Sequence, residues 1–417
     1  MSIAEIIFWV SAGCVAYSYA IYPALLFVTA SLRQTARDLK FILARRNRRS
    51  ANRAPFEPSV AVLVAAFNEE SVIEQKIRNS AQIDYPAEKL EFWLGLDSPT
   101  DGTAARTRSV APASFKVMEF SERRGKLAVI RDLAQRTQAD VLVFSDANTM
   151  LEPDAVTALA RHFADENVGA VCGELRVVSA DGKPELESAY WRYEVGLKFL
   201  ENRLNCVLGA NGAVYAVRRE LFNPHPSWIV EDFLVPMKIR FGGHRVVYAP
   251  EAVATEPSAP DFAAEFRRKV RIGAGDFQTL FRNPDFLNPL VGMPFVAYVS
   301  HKVLRWLGPL FLPAAWIGAG AAALGGNVFY AAAFALQTIF YALALFAAGL
   351  QRSGRKLGIL GLPLYFAAMN LALFLGLLRF LTGRQKAVWA STPRNSATAP
   401  VSPATAKPEA PGPVGTQ

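Results

Sequence analysis

The chain has 417 residues, 52% of them hydrophobic, and a formal net charge of +9 at pH 7. Long uncharged runs lie near both ends, while the middle has an ordinary density of charge, which excludes a fully soluble protein and predicts one water-facing domain between membrane segments. The three cysteines lack CxxC spacing and the four histidines are scattered, so neither a disulfide framework nor a zinc site is expected.

The first uncharged run extends from Ile6 to Leu32 and exceeds the ~20 residues that a helix needs to cross a bilayer. A secretory signal peptide is the alternative interpretation. However, only Glu5 precedes the run, and the run is longer than a signal's apolar region of ~7–15 residues. We therefore predict a retained transmembrane anchor over residues 1–32.

A basic linker is predicted at residues 33–57, next to this anchor. Its positive side chains are Arg33, Arg37, Lys40, Arg45, Arg46, Arg48, Arg49 and Arg53, with only Asp38 among them. Positive residues beside a span favour the cytoplasmic side, so the central domain is predicted to be cytoplasmic. Since these residues account for most of the net charge, we expect contact with membrane lipid and not with nucleic acid.

Four runs of β-branched and aromatic residues predict buried strands, and helical patterns separate them. The runs are 58–66, 91–96, 116–120 and 141–145, and a helix is predicted at 127–136, between the third and fourth runs. This alternation predicts an α/β fold with a mostly parallel sheet.

Polar residues follow these strands where each one ends, and the carboxyl ends of parallel strands meet at one edge of a sheet. They are Asn68 and Glu69, Asp97 and Asp101, Lys126, and Asp146. Each has a simpler explanation, since Asp101 can shape its turn, Asp97 can cap a helix and Lys126 can lie in an exposed loop. Their recurrence at successive strand ends favours a shared site.

The order of six segments resembles the family 2 glycosyltransferases with a GT-A fold. These segments are AAFNEE, DSPTDGT, RGK, SDANT, NGAVYAVR and ED. The similarity is greatest to the membrane-embedded branch that includes cellulose, hyaluronan and poly-N-acetylglucosamine synthases, and it covers about residues 58–282. It implies a cytoplasmic GT-A domain, a nucleotide-sugar-binding α/β unit, at residues 58–284, flanked by transmembrane helices.

The resemblance also implies a role for each matching residue. Nucleotide-sugar binding is implied for Ala65, Phe67, Asn68, Glu69, Asp97, Lys126, Asp146 and Arg271. Acceptor binding is implied for Asn211 and Gly212, and the catalytic pair is Glu231 and Asp232, with Asp232 as general base. Asp146 and Asn148 match the metal motif, which implies a divalent cofactor, Mg²⁺ or Mn²⁺.

The chain departs from the family pattern at two motifs. Asn148 replaces an acid, so it brings an amide oxygen but no charge to the metal, and its alternative roles are a turn or a helix cap. The QxxRW motif reads Arg268 to Ile272, which keeps Arg271 but lacks the glutamine and tryptophan. A compatible alternative for this segment is an amphipathic helix lying on lipid. Its apolar stripe would be Phe262, Phe266, Val270, Phe277 and Leu280.

A C-terminal membrane region is predicted at residues 285–383, with an interfacial segment and about three transmembrane helices, followed by a disordered tail at 384–417. Three full crossings would place Arg384, Lys386 and Arg394 outside, which the positive-inside rule disfavours. Either one segment does not fully cross, or residues 286–300 contribute a further membrane element.

Together with the membrane segments, this resemblance implies an inverting glycosyltransferase of the inner membrane, acting in cell-surface or extracellular polysaccharide synthesis. The expected donor is a nucleotide-sugar, with a UDP-sugar as the class that the resemblance implies, and the acceptor is a glycan or a lipid. For Glu231 and Asp232 the alternative is that they only favour the dipole of the helix 233–241. The alternative functions are a catalytically weak scaffold of the same fold and a non-processive glycolipid glycosyltransferase.

Overall fold

The computed structural model describes residues 1–44, 56–178, 186–224, 229–258, 261–353, 355 and 357–384. The predicted tail beyond residue 384, with Lys386 and Arg394, lies outside these residues. So do the arginines at positions 45, 46, 48, 49 and 53 of the predicted basic linker.

One eight-stranded sheet forms the centre of the middle domain. Its strands are β1 (Val60–Ala66), β2 (Leu90–Asp97), β3 (Phe115–Phe120), β4 (Val141–Phe144), β5 (Met150–Leu151), β6 (Val168–Val178), β7 (Tyr215–Arg218) and β8 (Arg245–Pro257). The order across the sheet is β3-β2-β1-β4-β7-β6-β8-β5. The first four strands pair in parallel as predicted, whereas β7 runs antiparallel to both β4 and β6, so the complete sheet is mixed.

Helices cover both faces of this sheet and continue into the apolar ends of the chain. They are α1 (Ile3–Ala16), α2 (Tyr22–Leu43), α3 (Ile73–Ser80), α4 (Thr103–Val110), α5 (Lys126–Arg136), α6 (Ala155–Ala160), α7 (Leu186–Arg203), α8 (Glu231–Phe241), α9 (Phe262–Arg282), α10 (Met293–Ala297), α11 (Leu304–Trp306), α12 (Gly308–Ala323), α13 (Val328–Arg352) and α14 (Gly361–Leu381). Two π-helical segments, Tyr17–Ile21 and Tyr298–Val303, join α1 to α2 and α10 to α11.

Strand β1 shows why the sheet is buried on both sides. Alternate side chains point to opposite faces of a strand. On one face Val62 packs with Ile73 and Ile77 of α3, and on the other Leu63 packs with Leu133 of α5. A continuous apolar run is therefore what this strand requires, because neither face meets water.

Three helices within the described part of the chain are long and apolar enough to cross a membrane: Ile3–Leu43, Val328–Arg352 and Gly358–Leu381. A fourth candidate consists of Met293–Trp306 and Gly308–Ala323, which meet at a bend of 63°. Helices of this length and composition make the chain a membrane protein.

Helix α14 packs closely against α9 of the middle domain. A Cβ atom added to Gly376 would lie 2.7 Å from the backbone carbon of Gly273, so glycine is needed for this approach. The centre of the predicted apolar stripe of α9 is buried, with Val270 and Phe277 only 2% and 0% exposed. The prediction that this stripe lies on lipid is wrong at these positions, because protein already covers them.

Candidate active site

A cavity of about 1060 Å³ opens at the carboxyl ends of β1, β2 and β4 and extends towards the membrane helices. Every residue to which the sequence resemblance gave a role lines it, including both acceptor-side residues, Asn211 and Gly212. Strand ends alone do not explain this convergence. The loop before β7 and the helices α8 and α9 close the cavity from the opposite side.

The loops after β1 and β2 are joined by hydrogen bonds. Asn68 adopts a positive φ of 54°, and its Oδ1 accepts the backbone N–H of Thr100 at 2.8 Å. The backbone N–H of Glu69 donates to Oγ1 of Thr103 at 2.8 Å. Asp101 accepts from the backbone N–H of Thr103 at 3.0 Å, so it shapes its turn, as its simpler explanation predicted.

Asp97 fixes the loop that leads to α5. Its two carboxylate oxygens accept the backbone N–H groups of Arg124 and Gly125 at 2.7 and 2.8 Å, and it is 3% exposed. Gly125 has a φ of 87°, which favours glycine. Asp97 thereby places Lys126 at the cavity. A direct contact between Asp97 and a nucleotide stays a prediction.

Lys126 connects the two halves of the cavity. Its Nζ lies 2.7 Å from Oδ1 of Asp146, just after β4, and 3.1 Å from Oε1 of Glu231 in the first turn of α8. Burial lowers the pKa of Lys126, but the carboxylates of Asp146 and Glu231 outweigh burial and hold it well above its ordinary value. The ammonium group is therefore a fixed positive charge at the centre of the site.

Asp232 has the environment of a general base. Its Oδ2 accepts the backbone N–H of Gly212 at 3.0 Å, and a Cβ at position 212 would lie 2.9 Å from the same oxygen. Burial, and then the charge of Glu231, raise the pKa of Asp232 to about 6 against the opposing effects of Lys126 and Arg271. A carboxylate with a pKa just below neutral is ionised at pH 7 and still accepts a proton well.

Three further predicted residues, Arg271, Phe67 and Ala65, also line the cavity. Arg271, on α9, faces Glu231 and Asp232, and although burial lowers the pKa of its guanidinium, the group stays charged near neutral pH. The guanidinium of Arg123 lies over the ring of Phe67, 3.7 Å from its centre, and Ala65 lines the cavity from the end of β1.

The metal motif lies on the turn after β4. Asn148 is 8% exposed, and its Nδ2 donates to Oε1 of Glu256 at 3.4 Å. Asp146, Asn148 and Glu256 all line the cavity and provide the oxygen ligands that Mg²⁺ and Mn²⁺ prefer. No group of three His, Cys, Asp or Glu side chains suited to a metal occurs among the described residues.

Lys76 is a residue that the sequence argument missed. It is 2% exposed, and its Nζ donates to Oγ of Ser145 at 2.7 Å and to the carbonyl oxygen of Thr149 at 2.6 Å, at the two ends of the turn that carries Asp146. Burial lowers the pKa of Lys76 to about 7, against the charge of Asp146. The signal in the sequence is its spacing, three residues after Ile73, on the face of α3 that packs on the sheet.

A second missed feature is a cluster of charges between α7 and the π-helical segment 298–303. Nδ1 of His301 lies 2.6 Å from Oε1 of Glu201, and its Nε2 lies 3.1 Å from Oε2 of Glu194. Arg305 also pairs with Glu194, and Lys302 lies 3.6 Å from the same carboxylate. About 100 residues separate these partners in the chain, so no local pattern could reveal them.

Residues 61–223 match the model of glycosyl transferase family 2. This segment is a family 2 glycosyltransferase domain. The chain is 27% identical over 195 residues to a beta-monoglucosyldiacylglycerol synthase of Nostoc sp., covering 45% of this chain and 41% of that protein. It is 23% identical over 248 residues to a poly-beta-1,6-N-acetyl-D-glucosamine synthase of Staphylococcus aureus, covering 58% and 59%.

The aligned regions thus span about two to three fifths of the length of these relatives. Among solved structures, the chain is similar to the mannosyltransferase PcManGT of Pyrobaculum calidifontis, in complex with GDP-Man and Mn²⁺. The TM-score is 0.63 at 21% identity, over 92% of this chain and 99% of the other. This similarity confirms the predicted GT-A fold.

Proposed function

We propose that the chain is an inverting glycosyltransferase that moves a sugar from a nucleotide-sugar to an acceptor hydroxyl at the membrane. The observation that carries the proposal is the placement of a base and a phosphate-binding charge in one cavity. Asp232 and Glu231 are adjacent on α8, and Lys126 joins Glu231 to Asp146 through contacts of 3.1 and 2.7 Å.

In the proposed reaction, the acceptor oxygen attacks the anomeric carbon while Asp232 takes the hydroxyl proton. The bond from that carbon to the diphosphate breaks, and its electron pair leaves with the diphosphate. Lys126 and Arg271 stabilise the negative charge that develops on the leaving group. A divalent cation held by Asp146 and Asn148, with Glu256 beside them, would add electrophilic stabilisation of the diphosphate. A single displacement inverts the anomeric configuration.

The nature of the donor is less constrained than the reaction. The similarity of the motifs to the membrane-embedded synthases supports a UDP-sugar. The similar mannosyltransferase was crystallised with GDP-Man and Mn²⁺, which supports a divalent cation and makes a GDP-sugar the second donor class to test. The relatives include a glycolipid synthase and a polysaccharide synthase, so both kinds of product are consistent with them.

We place the catalytic domain, residues 58–284, on the cytoplasmic side of the inner membrane. Arg33, Arg37 and Lys40 lie in the C-terminal half of α2, the part of this helix that precedes the domain in the chain. Helix α14 contacts the domain near both of its ends, through Tyr365 against Tyr190 of α7 and Phe380 against Phe281 of α9. This supports the alternative in which α14 does not fully cross, so that Arg384 stays on the same side.

A donor screen with the purified full chain tests the proposed function. Release of nucleoside diphosphate would be measured from UDP- and GDP-sugars, with Mg²⁺, with Mn²⁺ and with chelator, in wild type and Asp232→Asn. We expect metal-dependent release with one donor class. Absence of release and of transfer with every donor, in protein that still binds nucleotide, would favour the scaffold alternative.

A further inference from the structure

The cavity does not end at Asp232 but continues into an apolar limb along α14. We define this limb by Tyr19, Tyr190, Leu362, Phe366, Met369 and Leu373. Its four members on α14 recur at intervals of four, three and four residues, which places them on one face of the helix. The limb therefore runs along α14 for about 16 Å, at 1.5 Å per helical residue.

The two ends of the limb have different surroundings. At one end, Leu373 touches α9 at Gly273, two residues from Arg271 of the reacting site. At the other end, Leu362 is 50% exposed and still lines the cavity, so the limb reaches the outer surface of an apolar helix. The limb is thus a continuous route from the membrane-facing surface to the base.

Three basic residues beside the limb, His301, Lys302 and Arg305, are matched by acids. Glu194 faces His301, Lys302 and Arg305, and Glu201 faces His301 from the other side. Phosphate binding requires positive charge that is not already neutralised, and these contacts neutralise it. Lys126 and Arg271 lie beside Glu231, at the reacting end of the cavity, and the proposed reaction assigns them to the leaving diphosphate.

We propose that the limb binds the acceptor, and that the acceptor is a membrane lipid with a free alcohol and no phosphate. This inference rests on the proposed transferase function. The alcohol oxygen forms the new bond to the anomeric carbon, its proton goes to Asp232, and the nucleoside diphosphate leaves with the electron pair. A phosphomonoester is already anionic at pH 7 and has no need of the base that Asp232 provides.

The test uses the full chain in phosphatidylcholine nanodiscs with the donor found in the screen. Dioleoylglycerol, a polyprenyl phosphate and a soluble oligosaccharide are supplied separately, and products are identified by mass spectrometry. We expect a glycosylated diacylglycerol. Leu362→Trp should raise the KM for this lipid about tenfold by filling the limb. Leu371→Trp, on the lipid-exposed side of the same helix, is the matched control and should leave transfer at the wild-type rate.

A labelling experiment remains informative if Leu362→Trp does not fold. Diacylglycerol and phosphatidylcholine that carry the same photoreactive acyl chain are compared in wild type. We expect the diacylglycerol alone to label limb residues of α14. Equal labelling by both lipids, or transfer only to the polyprenyl phosphate or the oligosaccharide, would overturn the inference. Donor hydrolysis without transfer to diacylglycerol would also overturn it while leaving the transferase function standing, whereas absence of both hydrolysis and transfer would count against the transferase itself.

Discussion

The predicted nucleotide side of the cavity and its predicted acceptor side are built in different ways. On the nucleotide side, backbone amides hold the polar residues: Asp97 accepts two of them and Asn68 accepts one. On the acceptor side, charged side chains hold one another, as His301 does between Glu194 and Glu201. The first arrangement depends on the position of the backbone, whereas the second depends on the charges of the side chains.

The largest effect should come from the base, on the acceptor side. Asp232→Asn keeps the size of the side chain and its contact with the N–H of Gly212. We expect transfer to fall about 10³-fold, because general-base catalysis contributes 10²–10⁴-fold, with donor affinity changed little. Initial rates and calorimetric titration of the donor measure the two quantities. Substantial residual transfer would remove Asp232 from the mechanism.

The next effect concerns the nucleotide side. Asp146→Ala removes the acid of the metal motif and the partner of Lys126 at 2.7 Å. We expect metal-dependent nucleotide affinity to fall by about 100-fold, the upper end of the loss seen when residues that support a metal site are mutated. Titrations with and without Mn²⁺ give the metal-dependent part. An unchanged difference between them would place the cation elsewhere.

A substitution of Lys76 tests whether the turn after β4 depends on the two hydrogen bonds that the buried Lys76 donates to it. Lys76→Met removes both hydrogen bonds to the turn, and we expect metal-dependent nucleotide affinity to fall about tenfold. The folded-state pKa of about 7 lies below the ordinary value of 10.5, so the unfolded chain binds more protons between these values. The free energy of unfolding of wild type should therefore rise with pH from about 7 to 10 relative to the variant. Parallel thermal unfolding curves over this range would contradict this.

Asn148 separates metal binding from turn structure. In the wild type, Nδ2 of Asn148 donates to Oε1 of Glu256 at 3.4 Å. Asn148→Asp therefore places two carboxylates beside each other. We expect lower stability without metal, because buried like charges repel, and a larger rise in melting temperature on adding Mn²⁺. Identical metal-induced shifts in wild type and variant would leave Asn148 with a role in the turn alone.

The smallest expected effect is a shift of the pH profile. Since Asp232 must be ionised to act, transfer should rise with pH through about 6 and then level off. The negative charge of Glu231 raises the pKa of Asp232, so Glu231→Gln should move this rise to lower pH. Rates measured from pH 4.5 to 8, a range of about two units around the midpoint, reveal the direction. A shift to higher pH would mean that Glu231 acts mainly through Lys126.

Local patterns predicted the nucleotide side well. Apolar runs gave the first four strands within one or two residues, because buried strands need continuous apolar sequence, and the polar residues that end them do line one cavity. The mixed half of the sheet was not predicted, since β7 is only four residues long and its direction depends on its neighbours. The roles of the individual site residues stay predictions.

The sequence by itself determined the membrane segments, the parallel half of the sheet and the candidates at its edge, because each depends on residues that are close together in the chain. Only the tertiary structure decided what those residues do to one another. It placed Lys126 between Asp146 and Glu231, raised the pKa of Asp232 and buried Lys76 under the turn. It also covered the apolar stripe of α9 with α14. Burial and charge pairing depend on which residues are close in space, and residues that are distant in the sequence can be close in the fold. Local sequence patterns therefore do not predict them.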